Sequence, residues 1–158
     1  GASDGLQLAL NVGAALIAFI GLVYLANLAL KGITGISLEQ AMSWLFHPFA
    51  LLMGVPWHDA GAVAELLGKK TVLNEFLAYA DLKPLIEQGA LSPRSVTIVT
   101  YALCGFANPG SLGILLGALN NLVPDRRSEF ARLGLLSLVA GTLTSFMTAC
   151  VAGMLTSE

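Results

Sequence analysis

Long uncharged runs alternate in this chain with short stretches where charge and helix breakers return, and that alternation sets its elements. From Gly5 to Leu30 there is no charged residue, Gly13, Ala14, Ala18 and Gly21 recur at helical spacing, and Lys31 closes the run. This is a full membrane span, whose small residues let another helix approach closely while Asn11 and Asn27 bond across to it. After a loop, Ser37 with Gln40 makes a capping box for a second helix. Gln40 to Trp57 is apolar but carries His47-Pro48, Gly54 and Pro56, with Trp44 and Trp57 toward its ends, which suits an interfacial or partly re-entrant helix better than a full span.

Between His58 and Gly89 the pattern changes, with Asp59, Glu65, Lys69, Lys70, Glu75, Asp81, Lys83 and Glu87 spread among apolar residues. Asp59 to Leu67 and Val72 to Tyr79 read as two short helices joined at Gly68-Lys69-Lys70-Thr71, a helical hairpin turning at Gly68. From Ser95 to Pro124 charge disappears again, yet Gly105, Asn108, Pro109 and Gly110 fall mid-run. Proline has no N–H and clashes with the preceding turn, while an asparagine before it can cap a new helix, so this run predicts a helix broken inside the membrane, near Phe106 to Gly110. Its second half carries Gly113 and Gly117 as a close-packing pair. A turn over Pro124 to Arg127 leads to a last span, Leu133 to Ser157, where Gly141, Ser145, Ala149 and Gly153 mark one face for packing. Thr144, Ser145 and Thr148 can return their hydroxyls to carbonyls of their own helix.

Composition agrees with the pattern. The 158 residues are 56% hydrophobic and only 11% charged, where a soluble domain has roughly a quarter charged. The result is an all-α, polytopic integral membrane protein. A formal net charge of -2 with scattered basic residues offers no surface for nucleic acid. Cys104 and Cys150 both lie in apolar helical runs and read as small buried residues. The chain opens without methionine, and its first run lacks the basic flank of a signal peptide and is too long for one, so a piece of a longer chain is expected.

Candidate chemistry gathers at the two interruptions. Non-helical backbone at membrane depth is tolerated only where protein or a polar cavity meets it, so the break near Asn108 is either a ligand site bordered by Phe106, Asn108 and Ser111 or a purely structural kink. Glu75, just past the hairpin tip, can accept two hydrogen bonds from a hydroxylated or amine-bearing ligand; the competing reading is an ion pair with Lys69 or Lys70, or a solvated surface helix. His47 reads as an interfacial polar residue, with proton carriage as the alternative. Gly61 to Thr71 imitates a phosphate-binding loop, but six residues separate its glycines and Lys70, not Ser or Thr, follows Gly-Lys. No protease or acyl-hydrolase motif is present, so no catalytic residue is assigned.

The motifs Gly68-Lys69-Lys70 with Asn74-Glu75-Phe76-x-Ala78-Tyr79, and Tyr101 to Asn108 with Ser111-x-Gly113-Ile114, resemble the C-terminal part of the concentrative nucleoside transporter family. The likeness covers nearly the whole chain. It implies a homotrimer in the bacterial inner or the plasma membrane, each subunit with a scaffold and a transport domain built on an inverted repeat. In these terms residues 1–36 form a scaffold helix and loop, 37–57 an interfacial helix, and 58–158 half of the transport domain, with a re-entrant hairpin at 58–89, a discontinuous helix at 93–123 and a final span at 127–157. The resemblance makes Glu75 the acceptor for the ribose hydroxyls of a nucleoside, Asn108 and Ser111 further polar contacts, and Phe106 the aromatic pocket wall. Sodium or proton coupling is expected from the missing N-terminal half, so no metal site or cofactor is expected within these residues. The rival reading is a non-transporting scaffold or gate module for subunit association, and whether Glu75 and Asn108 point at one cavity decides between the two.

Overall fold

The computed structural model describes residues 1–156, apart from the side chains of Asp4, Asn120, Asn121 and Leu122. It is helical throughout: α1 Ala2–Thr34, α2 Leu38–Leu52, α3 Trp57–Val72, α4 Glu75–Glu87, α5 Pro93–Leu103, α6 Pro109–Leu122, a 3-10 turn Pro124–Arg126 and α7 Arg127–Leu155. The final span ends at Leu155, and Ser157, to which it was expected to run, lies outside the described residues.

Length sorts these helices. At about 1.5 Å per residue, the 33 residues of α1 and 29 of α7 exceed a hydrocarbon core of about 30 Å, whereas the 11 of α5 and 14 of α6 do not. Both long helices are apolar enough to cross a membrane. Side chains such as Ile17, Leu22, Leu135 and Met147 stand exposed on them, the surface that lipid or other protein would cover.

The core lies elsewhere. Phe46 and Ala50 of α2, Val63 and Leu67 of α3, Ala78 and Leu82 of α4, Ile98 and Ala102 of α5, and Phe146 and Ala149 of α7 are buried together. On α7 the buried face carries Ser145, Ala149 and Gly153, the small-residue face read from the sequence, and α5 packs along it. Thr144, Ser145 and Thr148 each bond the carbonyl four residues back, at 2.8, 3.1 and 3.0 Å. At Gly113 and Gly117, in contrast, a Cβ would meet no atom of another element within 4 Å, and both border an open groove between α1 and α6.

Local chemistry fixes the junctions. The Ser37 and Gln40 capping box forms in both directions. Asn27 clasps it to α1, donating to both Glu39 oxygens at 2.8 and 2.9 Å and accepting from Leu38 N at 2.8 Å. That second helix stops at Leu52, short of Trp57, which opens α3 and packs edge-on against the His47 ring at 5.6 Å.

The hairpin corrects the sequence reading. Its interruption falls at Leu73 and Asn74, and Gly68 to Thr71 are helical. Glycine at 68 serves packing: a Cβ there would lie 2.7 Å from the Glu39 carbonyl oxygen of α2. Asn74 starts α4, its Oδ1 accepting from Leu77 N at 2.9 Å. The signal was present, an asparagine followed by an acidic first turn, but glycine outweighed it. In the discontinuous helix the gap runs from Cys104 to Asn108, so Pro109 and Gly110 belong to the new helix and not to the break.

Candidate functional site

Three links set α3 and α4 against α5 and α6. At one end the buried Asp59 carboxylate accepts from Ser92 N at 3.0 Å and Ser92 Oγ at 2.8 Å, tying the start of α3 to the cap of α5. At the other end Lys70 Nζ donates to the Ala102 carbonyl at 2.9 Å. Bonds near both ends of α3 and α5 run them side by side in the same direction. That brings their C-termini, and the interruptions that follow, to one level.

There the third link forms. Asn108 Nδ2 donates to Glu75 Oε2 at 3.0 Å, joining the helix starts after the two interruptions. Asn108 is 1% exposed, and its Oδ1 accepts from Ser111 N at 2.9 Å and Ser111 Oγ at 3.0 Å. Its two ends thus do separate work: the carbonyl caps α6, as expected of an asparagine before Pro109, and the amide reaches Glu75. The carboxylate sits in the first turn of α4, where helix N–H groups favour negative charge. Oε1 of Glu75 accepts no hydrogen bond among the described residues.

The break itself is held open by its neighbours. Helix ends leave carbonyls without partners, and at the end of α5 Tyr79 Oη donates to Thr100 O at 2.6 Å while Lys70 takes Ala102 O. Glycine is required at 105, because a Cβ there would collide with Ser145 Oγ of α7. Cys104, expected to be buried, is exposed beside the gap, and Cys150 is half-buried; both are free thiols.

A cavity of about 370 Å³ lies against the break, lined by Phe106, Asn108 and Ser111 together with Leu8, Val12 and Gly141. Phe106 is 66% exposed and forms part of its wall. Glu75 does not line it; the carboxylate lies across the Asn108 amide. Phe106, Asn108 and Ser111 thus share one cavity, whereas Glu75 is not in its lining and joins them only through its bond to the Asn108 amide. Three contributors were missed. Asn74 carried a readable cap signal, but Lys70 and Tyr79 did not, since nothing along the chain marks which carbonyls they will meet. Among the described residues neither lysine forms the ion pair with Glu75 that was the competing reading: Lys69 bonds Asp81 across the hairpin and Lys70 the Ala102 carbonyl. Among the described residues no three His, Cys, Asp or Glu side chains assemble as metal ligands.

Residues 1–153 match the family model described as Na+ dependent nucleoside transporter C-terminus. The chain is similar, at 48% identity over 98% of its length, to the uncharacterized transporter YutK of Bacillus subtilis, of which it covers 39%. It is 42% identical over 98% of its length to nucleoside permease NupC of Helicobacter pylori, again covering 39% of that protein. A solved structure of a CNTnw variant in an intermediate state superposes with a TM-score of 0.92 at 41% identity, over 99% of this chain and 40% of that one. The chain thus spans about two fifths of the length of these relatives.

Proposed function

The chain belongs to the concentrative nucleoside transporter family, as its C-terminal part, and from that premise we propose that it supplies the ribose-binding half of the substrate site of an ion-coupled nucleoside importer. The family is one of membrane transporters, not enzymes. The observation that carries the reading is the 3.0 Å bond from Asn108 to Glu75. It presents a carboxylate with one open oxygen beside an amide and the Ser111 hydroxyl, a set suited to a vicinal diol: the carboxylate accepts from hydroxyls and the amide donates to them. Phe106, exposed at the cavity rim, offers a face for the base or sugar.

In this reading α3 and α4 form a re-entrant hairpin that does not cross the bilayer, and α5 with α6 a single discontinuous span. Their polar ends face the protein and the substrate instead of lipid. The residues that enclose the rest of the nucleoside and bind the coupling ion, sodium as the family name suggests or a proton, belong to the N-terminal half. The exposed apolar faces of α1 and α6 suit contacts with that half and with sister subunits of a trimer.

The test uses the intact transporter. Glu75→Gln keeps the shape and replaces one acceptor by a donor, so nucleoside affinity should fall by roughly one to two orders of magnitude, the value of about 1.5–3 kcal/mol for a hydrogen bond to a charged group. Crossing Asn108→Ala with a nucleoside lacking its 2′- and 3′-hydroxyls then separates recognition from capping. If Asn108 reads the ribose, the substitution penalises the natural nucleoside far more than the dideoxy analogue. Equal penalties, with parental affinity in Glu75→Gln, would reject the ribose assignment.

A further inference from the structure

Lys70 is the largest fully buried side chain among the described residues, at 1% exposure. Burying an ammonium is costly unless the site compensates it, and its compensation here is sparse. It donates one hydrogen bond, to Ala102 O at 2.9 Å, and among the described residues no carboxylate stands within ion-pair distance of it. The adjacent Lys69 has taken the hairpin's ion pair with Asp81. A leucine or methionine would fill the same volume without the penalty.

What an apolar residue could not supply is positive charge at this point. The ammonium faces the negative, carbonyl end of half-helix α5 and lies beside the break, with the Cβ position of Gly105 3.3 Å from Nζ. Five residues further along the chain, Glu75 opens α4 and meets the same break through its 3.0 Å bond from Asn108, the residue that ends the gap. Two of the three ammonium hydrogens have no protein partner among the described residues. The cation is thus bonded to the carbonyl end of one half-helix, and the carboxylate at the start of another stands at the same break beyond ion-pair distance.

We propose that Lys70 is a positioning residue of the nucleoside half-site. Its ammonium is a resident cation that fixes the end of α5 at the break and balances the Glu75 carboxylate, so that Glu75 and Asn108 are presented to substrate without Lys70 touching it. This rests on the nucleoside reading of the site. It adds a residue that neither the cavity lining nor the contacts to Asn108 include.

The experiment measures binding of a radiolabelled nucleoside to the purified, full-length transporter carrying Lys70→Met, both with Glu75 intact and combined with Glu75→Gln. The expected result is a loss of about tenfold or more with Glu75 present and a much smaller loss in the Glu75→Gln background, because the two changes then remove the same interaction. Parental affinity in Lys70→Met overturns the proposal, and so does an equal loss in both backgrounds, which is the signature of a packing role. Lys70→Ala covers the case in which Lys70→Met does not fold. The hole left in Lys70→Ala should admit methylammonium, which restores nucleoside binding, whereas tetramethylammonium at the same concentration does not; failure of methylammonium to restore binding overturns the proposal. Glu75→Gln alone reports on the underlying reading. Parental affinity there sinks both ideas, while a loss there beside parental affinity in Lys70→Met overturns only the positioning role.

Discussion

The chain interrupts its helices after Val72 and again after Leu103, and the two interruptions share their chemistry but not their outcome. Each ends on an asparagine in extended backbone, Asn74 at φ -165, ψ 168 and Asn108 at φ -147, ψ 162, whose Oδ1 accepts the N–H three residues on. After Asn74 the chain turns back and α4 packs along α3. After Asn108, α6 leaves α5 behind and packs on α7 and α1. The Asn74 amide has no partner among the described residues, while that of Asn108 spans to Glu75 at 3.0 Å. A cap stops and restarts a helix wherever it occurs; it becomes part of a site only where another element brings a complementary group to its free end.

The largest effects are expected at two glycines, Gly68 packed inside α3 against α2 and Gly105 within the second interruption against α7. Gly68→Ala would drive a Cβ to 2.7 Å from a backbone carbonyl of α2, which cannot rotate away. Its cost should reach the upper end of the roughly 1–3 kcal/mol typical of overpacking, seen as a lower unfolding temperature of the purified transporter. Gly105→Ala collides instead with a side-chain hydroxyl, so adding Ser145→Ala should recover part of the loss. No recovery would mean that the break is held by something other than contact with α7.

A smaller effect should divide the two asparagines. Asn74→Ala and Asn108→Ala each remove a cap worth about 1 kcal/mol, so both should lower stability by similar amounts. Only Asn108→Ala should also weaken nucleoside binding, because only its amide meets Glu75. Equal losses of affinity would erase the difference between the two caps. The smallest expected change is Tyr79→Phe, which deprives Thr100 O of a 2.6 Å bond and should cost about 0.5–1.5 kcal/mol of stability with little change in affinity. A large loss of affinity there would make Tyr79 part of the substrate site.

What the sequence determined by itself is what depends on neighbours along the chain. Charge-free runs gave α1 and α7, Ser37 with Gln40 gave the start of α2, and Asn108 before Pro109 gave the start of α6, since capping, proline geometry and span length act within a few residues or a single helix. The family motifs drew Glu75, Phe106, Asn108 and Ser111 together before any geometry was known. The tertiary structure decided what depends on which surfaces meet. Glycine at 68 is as good a breaker as a packing residue until α2 lies against it, and then only the second use remains. Lys69 and Lys70 are adjacent and chemically identical, yet the turn of the helix aims one at Asp81 and buries the other beneath the end of α5. Cys104 sits in an apolar run but falls at the open edge of a gap. The bond between Asn108 and Glu75 joins residues 33 apart, and its length depends on how α3 and α5 align, a quantity that no local pattern encodes.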